Sequence, residues 1–307
     1  MTSGGNRLKH YGTFGLGQIA TQLLNVRRQR ARVPGLVDVK HERLRRDEAR
    51  IAGALGDAPD GTLRGRRVLI VGPGQLLREA RYYAVHNQVT CLDIDVIPKG
   101  VDLEAYAHML RNNGLGRVIK TVGRKLVGND RYELSLWRDR LGVARLPDPR
   151  CVVGDISDGA PEPGSWDVLT SVSVFQSIPD ARLAVQRCAE ALRPGGVLYI
   201  GVHIWTCNSG HHDIRAFTGR DDEVPLWAHL RPSQAHLVQR SAYLNELRLR
   251  DWRAIFGEMC PGFHEFQERY DEAEFRAKMT PELRRELADY EDDELYSVDV
   301  FFCWRKP

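Results

Sequence analysis

Arg67-Val68-Leu69-Ile70-Val71-Gly72-Pro73-Gly74-Gln75-Leu76-Leu77-Arg78-Glu79 is the stretch from which the rest of the chain can be read. An apolar run without polar alternation, closed by glycine, marks a strand buried on both faces of a parallel sheet. Gly72 and Gly74 let the backbone turn sharply and leave room for a ligand to approach the main chain. The helical pattern that begins after the turn aims its free N–H groups at that ligand. Strand, glycine turn and helix together predict a nucleotide-type cofactor loop.

Which cofactor depends on what surrounds the turn. A dinucleotide fingerprint G-x-G-x-x-G needs a third small residue at position 77, where helix and strand pack closely. Leu77 stands there, which argues against a pyrophosphate ligand and hence against a dehydrogenase. A second apolar strand, Val89-Thr90-Cys91-Leu92-Asp93-Ile94-Asp95, ends in acid about 20 residues after the glycines, the spacing of a ribose-binding carboxylate. Three more strand-like runs follow: Cys151 to Ile156 with Gly154-Asp155, Ser165 to Ser171 with Trp166-Asp167, and Ala191 to Ile200 with Pro194-Gly195-Gly196.

In this order the motifs resemble the class I S-adenosylmethionine-dependent methyltransferases, over roughly residues 65–205. The resemblance implies an α/β fold, a Rossmann-like doubly wound sheet of seven strands, with S-adenosylmethionine as methyl donor. It further implies that Gly72 and Gly74 form the turn beside the amino-acid part of the cofactor and that Asp93 takes the two ribose hydroxyls. Asp95, on the same face of the strand, competes for that role. Asp155 and Ile156 would hold the adenine, and Ser171 and Val172 would end the fourth strand beneath the sulfonium.

Composition is that of an ordinary soluble globular protein. Of the 307 residues 42% are hydrophobic and 28% charged, enough for one large domain or two small ones. The first twenty residues hold no continuous apolar segment, and the longest apolar stretch, Val197 to Trp205, is far too short to span a bilayer. Six cysteines without C-x-x-C pairs read as reduced thiols, so a cytoplasmic location without a membrane is expected. Residues 1–150 carry 27 Lys/Arg against 15 Asp/Glu, and residues 151–307 carry 17 against 26. The basic half raises an RNA-methylating alternative. Its basic residues are interrupted by acids, which favours solvated faces complementing the acidic half within the chain or across a homodimer. No recognisable nucleic-acid module accompanies it.

Two domains are expected: a helical, basic N-terminal extension over 1–60, broken at Pro34-Gly35, and a methyltransferase domain over 61–307. The second carries an insertion at about 96–150, longer than a simple crossover needs. Its Lys120, Arg124 and Lys125 suit a cap over a polyhydroxylated or anionic acceptor, with plain decoration as the alternative.

A sugar hydroxyl is a poor nucleophile and gains from a base or a metal. Many relatives of the fold carry Glu-His where Gln176-Ser177 stand here, so attention moves past the fifth strand. His203 lies there, followed by the loop Gly210-His211-His212-Asp213. His211, His212 and Asp213 are the candidate catalytic residues. His212 with Asp213 is also the candidate site for Mg2+ or Mn2+. The loops Asp95 to Gly100, Lys120 to Lys125 and Ser209 to Asp213 resemble bacterial methyltransferases of polysaccharide synthesis, of the methylmannose polysaccharide type. That resemblance implies an oligosaccharide or small-molecule acceptor methylated on oxygen. A natural-product methyltransferase and a non-catalytic nucleotide-binding protein are the remaining alternatives.

Overall fold

A computed structural model describes residues 26–56, 60–96 and 128–307. β1 (Arg67–Val71) has four of its five residues buried and pairs in parallel with β2 (Gln88–Asp93) and β4 (Trp166–Val172). β3 (Arg150–Val153) adds beside β2, and β5 (Leu192–His203) beside β4, again in parallel. β7 (Ser297–Arg305) runs antiparallel between β5 and β6 (His264–Arg269). The order β3-β2-β1-β4-β5-β7-β6 is the seven-stranded, doubly wound sheet expected from the motifs. The chain reverses direction of travel across the sheet between β1 and β4, and ligands of such sheets bind at that point.

Helices cover both faces, which is why the central strands carry no polar alternation. On one face Leu169, Leu198, Ile200 and Phe302 pack against α4 (Ala181–Ala191) and α5 (Leu249–Met259). Phe256 of α5 stacks on Phe302 with ring centroids 4.1 Å apart. On the other face Val68, Ile70, Tyr199 and Phe301 meet Ile51 and Leu55 of α1 (Val26–Leu55), and Ala80 and Tyr83 of α2 (Arg78–Tyr83).

The break expected at Pro34-Gly35 is not made, because α1 runs through Pro34. A proline inside a helix costs about 3 kcal/mol in isolation. Here Val33, Val37 and Leu44 are buried with Trp137 of α3 (Asn129–Leu141), and that packing carries the helix across. Of the insertion, residues 97–127 lie outside the described residues, Lys120, Arg124 and Lys125 among them. Its described part includes α3, which packs on α1 and holds α2 through a two-pronged Arg78–Glu133 ion pair. No helix among the described residues is long and apolar enough to cross a membrane.

Polar groups are trapped where α1 and α2 meet the sheet. Tyr199 donates to Asp47 at 2.6 Å, and Thr170 donates to Glu79 at 2.9 Å. Burial outweighs these bonds and lifts Asp47 to about 6 and Glu79 to about 7. A carboxyl raised on folding favours the folded state below its unfolded pKa, and that advantage disappears as pH climbs through the folded value. Glu79→Gln keeps an oxygen for Thr170 and cannot ionise. Chemical unfolding should therefore find wild type losing on the order of 1–3 kcal/mol relative to the variant between pH 4.5 and 7. Parallel curves for the two proteins would contradict the burial of this carboxyl.

Candidate active site

A cavity of about 410 Å³ opens at the carboxyl ends of the parallel strands, within the range of small-molecule sites. Its floor is the turn after β1. Gly72 and Gly74 both have positive φ, +68° and +67°. A Cβ on Gly72 would lie 2.4 Å from Val174 Cγ2, so glycine is needed for space as well as for conformation. The end of β1 is tied on both sides: Gly72 N–H donates to Leu92 O, and Ser171 Oγ donates to Val71 O, each at 2.8 Å. Leu77, in place of a third glycine, is buried against Ile70 and Ala80 in the core.

Six of the residues assigned to the cofactor line this cavity together: Gly72, Gly74, Asp93, Asp95, Asp155 and Ile156. Asp93 ends β2, and its Oδ1 accepts from Asp95 N–H at 2.9 Å, which orients both acids at the rim. Asp155 accepts from Ser157 N–H at 2.8 Å, and Ile156 is buried as apolar floor. Ser171 and Val172 do not line the cavity. Ser171 is fully buried in the β1–β4 seam, and the next two residues, Ser173 and Val174, reach the cavity instead. The apolar run of β4 carries no mark of where the strand stops. Ile94 and Gln75 also line the cavity without a signal in the sequence, although Ile94 sits between the two acids.

A second polar centre sits at the carboxyl end of β5. His203 lies opposite Asp299 of β7 in the antiparallel register, with Nδ1 2.9 Å from Asp299 Oδ1. Its Nε2 is 3.1 Å from Ser209 Oγ and 3.6 Å from Cys207 Sγ, and Ser209 Oγ is 2.8 Å from the Tyr270 hydroxyl. Burial opposes a charged His203, but Cys207 and Asp299 outweigh it and hold its pKa well above the ordinary value.

His211 and His212 point apart. The His211 ring lies 5.3 Å from that of His229, and its Nδ1 accepts from Asp213 N–H at 2.9 Å. His212, with φ +48°, sets its half-buried ring edge-on to His203 at 5.1 Å. Burial, then the neighbouring His203, lowers it to about 4, so it is a neutral imidazole at physiological pH. Asp213 has a different task. Its Oδ1 accepts from Arg215 N–H and Nε, and its Oδ2 from Arg215 Nη2 and Gln239 N–H, at 2.6–2.8 Å. These donors outweigh burial and hold it at about 2. With its lone pairs so committed, Asp213 does not fit a Mg2+ or Mn2+ ligand. No group of three or more His, Cys, Asp or Glu among the described residues is placed to hold a metal. His203, His211, His212 and Asp213 do not line the 410 Å³ cavity; a loop over 238–248 connects the two centres.

Residues 113–200 match the family described as Methyltransferase domain. The ubiquinone biosynthesis O-methyltransferase of Idiomarina loihiensis is 33% identical over 81 residues, 25% of this chain and 32% of that protein. The trans-aconitate 2-methyltransferase of Deinococcus radiodurans is 34% identical over 99 residues, 32% of this chain and 36% of that protein. The enzyme of the same name from Afipia carboxidovorans is 27% identical over 137 residues, 43% of this chain and 52% of that protein. The chain thus spans between about a third and a half of the length of these relatives. The chain is thus similar to methyltransferases over part of its length, and its seven-stranded sheet is the fold expected for the class I enzymes.

Gly72→Ala should lower stability by about 1–3 kcal/mol, because the added methyl strains a positive-φ residue and drives into Val174. Thermal unfolding measures it. A variant as stable as wild type would mean that the β1 and β4 ends are not in this contact.

Proposed function

We propose that this chain is an S-adenosylmethionine-dependent O-methyltransferase acting on a hydroxyl of a sugar, oligosaccharide or similar small molecule. The observation that carries the acceptor reading is His212: a neutral, half-buried imidazole with no hydrogen-bond partner among the described residues, at the carboxyl edge of the cofactor sheet. The cofactor reading rests on the glycine turn and the acids at the ends of β2 and β3 around one cavity.

S-adenosylmethionine, when bound, supplies a methyl group on a sulfonium and leaves as a neutral thioether, so no acid is required on that side. Gly72 and Gly74 would admit the cofactor to the main chain, Asp93 would accept from its ribose hydroxyls, and Asp155 and Ile156 would hold its base. His212 would take the proton of the acceptor hydroxyl as the new carbon–oxygen bond forms. The bond from sulfur to the methyl carbon breaks in the same in-line displacement, its electron pair going to sulfur. His203, held by Asp299, would fix the position of the His212 ring through their edge-on contact. His211 and Asp213 would shape the loop rather than handle protons.

A second reading comes from the names of the trans-aconitate relatives. A carboxylate acceptor is already ionised and would need no base. The two readings diverge in one variant. His212→Ala should cut kcat by about 10²–10⁴, as for a lost general base, with cofactor affinity unchanged. Methyl incorporation from labelled S-adenosylmethionine across glycosides, phenols, RNA and trans-aconitate identifies the acceptor class. Turnover within a few-fold of wild type in His212→Ala would remove the base from this account.

The ribose contact has its own test. Asp93→Ala should weaken S-adenosylmethionine binding by about 1–3 kcal/mol in calorimetry. Unchanged affinity there, with loss in Asp95→Ala, would transfer the contact to Asp95.

A further inference from the structure

Ser209, His203 and Asp299 form a line in which each imidazole nitrogen has its own partner. Asp299 Oδ1 is 2.9 Å from His203 Nδ1, and Ser209 Oγ is 3.1 Å from Nε2 on the far side of the ring. A carboxylate only accepts, so it holds the proton of the neutral ring on Nδ1 and leaves Nε2 open to the serine hydroxyl. Three parts of the fold supply the line. His203 closes β5, Ser209 lies in the loop beyond it, and Asp299 is set opposite His203 by the β5–β7 register. The side chains of His203 and Asp299 are only 17% and 16% exposed, whereas Ser209 faces solvent. The hydroxyl end of the line is therefore the end that an outside molecule reaches. Cys207 Sγ also lies 3.6 Å from Nε2, but it is fully buried beneath the serine. Tyr270, next after β6, accepts from Ser209 N–H at 3.0 Å and has its hydroxyl 2.8 Å from Ser209 Oγ. Burial pushes the Tyr270 pKa up, so the phenol keeps its proton and can donate beside Oγ.

We propose a second activity for this chain, the hydrolysis of small acyl esters, with Ser209 as nucleophile, His203 as base and acid, and Asp299 positioning the imidazole. Ser209 Oγ attacks the ester carbonyl carbon while its proton passes to His203 Nε2. The carbonyl electron pair moves onto oxygen, where the Tyr270 hydroxyl donates to it. As that pair returns, the bond to the alkoxy oxygen breaks, and the alcohol leaves with the proton from Nε2. Water then attacks the acyl–Ser209 ester in the same way and releases the carboxylic acid and the free serine. Water is the only co-reactant, and S-adenosylmethionine takes no part. Around the hydroxyl stand Tyr270 and His212, whose ring lies 5.1 Å from that of His203; these polar neighbours suit a short acyl group better than a long apolar chain.

Two probes, an alkyl fluorophosphonate and p-nitrophenyl acetate, test this on the full chain. The fluorophosphonate should attach to Ser209 of the wild type with loss of fluoride, read as a mass shift on the peptide that carries it. Wild type should hydrolyse p-nitrophenyl acetate without S-adenosylmethionine. Ser209→Ala should lower kcat/KM by about 10²-fold or more, with its circular dichroism unchanged. The pH profile adds a readout that a structural role would not move. Burial lowers the His203 pKa, but Cys207 and Asp299 outweigh it and leave it well above the ordinary value; His212 and Tyr270 are the other titratable groups close to the ring or its partner serine. His203 accepts a proton only when neutral, so the rate should rise with pH through that raised pKa. Asp299→Asn has no charge to hold the His203 proton, so it should lower kcat by about 10²–10⁴ and move the rising limb to lower pH. An absent adduct, or one on Cys207 instead of Ser209, would overturn the proposal, and this needs no variant to fold. So would hydrolysis by Ser209→Ala within twofold of wild type, or a limb that stays in place in Asp299→Asn.

Discussion

The close approach of Gly72 to Val174 is the constraint on which the remaining geometry depends. A main-chain turn with positive φ, and no room for a Cβ, brings the ends of β1 and β4 together. Because Ser171 donates to Val71 O and Gly72 N–H to Leu92 O, three neighbouring strands end in register. Their ends, not any single side chain, make the cavity. The acids then fall at its rim, since Asp93 closes β2 and Asp155 follows β3.

Beyond β5 the chain distributes its histidines among different tasks through burial and partner choice. His203 is paired with Asp299 across the β5–β7 register, and Cys207 and Asp299 hold its pKa well above the ordinary value. His212, beside it and without a hydrogen-bond partner among the described residues, is kept neutral. His211 and Asp213 are consumed in holding the loop. His203, His212 and Asp213 are thus shifted differently by environment alone.

The sheet was legible because buried parallel strands read as uninterrupted apolar runs, and β1, β2, β4 and β5 lie where those runs do. Asp93 and Asp95 were legible from their spacing after the glycines, which reflects how far one crossover helix carries the chain, and Asp155 only from the family resemblance. Other features depend on tertiary contacts that no local pattern encodes. α1 crosses Pro34 only because Trp137, about a hundred residues away, packs beneath it. Ser171 looks like a strand-end residue and proves to be a buried seam. The bond from His203 to Asp299 joins residues 96 positions apart, so the histidine pattern pointed to a loop and could not show its electrostatics. Gln176 drew attention only as the residue replacing a familiar acid; that its Oε1 has no partner among the described residues is a property of the packed turn.

The central claim is that the glycine turn and the two acids hold S-adenosylmethionine and not a dinucleotide. Calorimetric titration of the full chain with S-adenosylmethionine and, separately, with NAD measures this directly. The account predicts saturable one-to-one binding of S-adenosylmethionine and no measurable heat with NAD, because Leu77 fills the space where a third glycine would let helix and strand approach a pyrophosphate. Saturable binding of NAD with none of S-adenosylmethionine would contradict it.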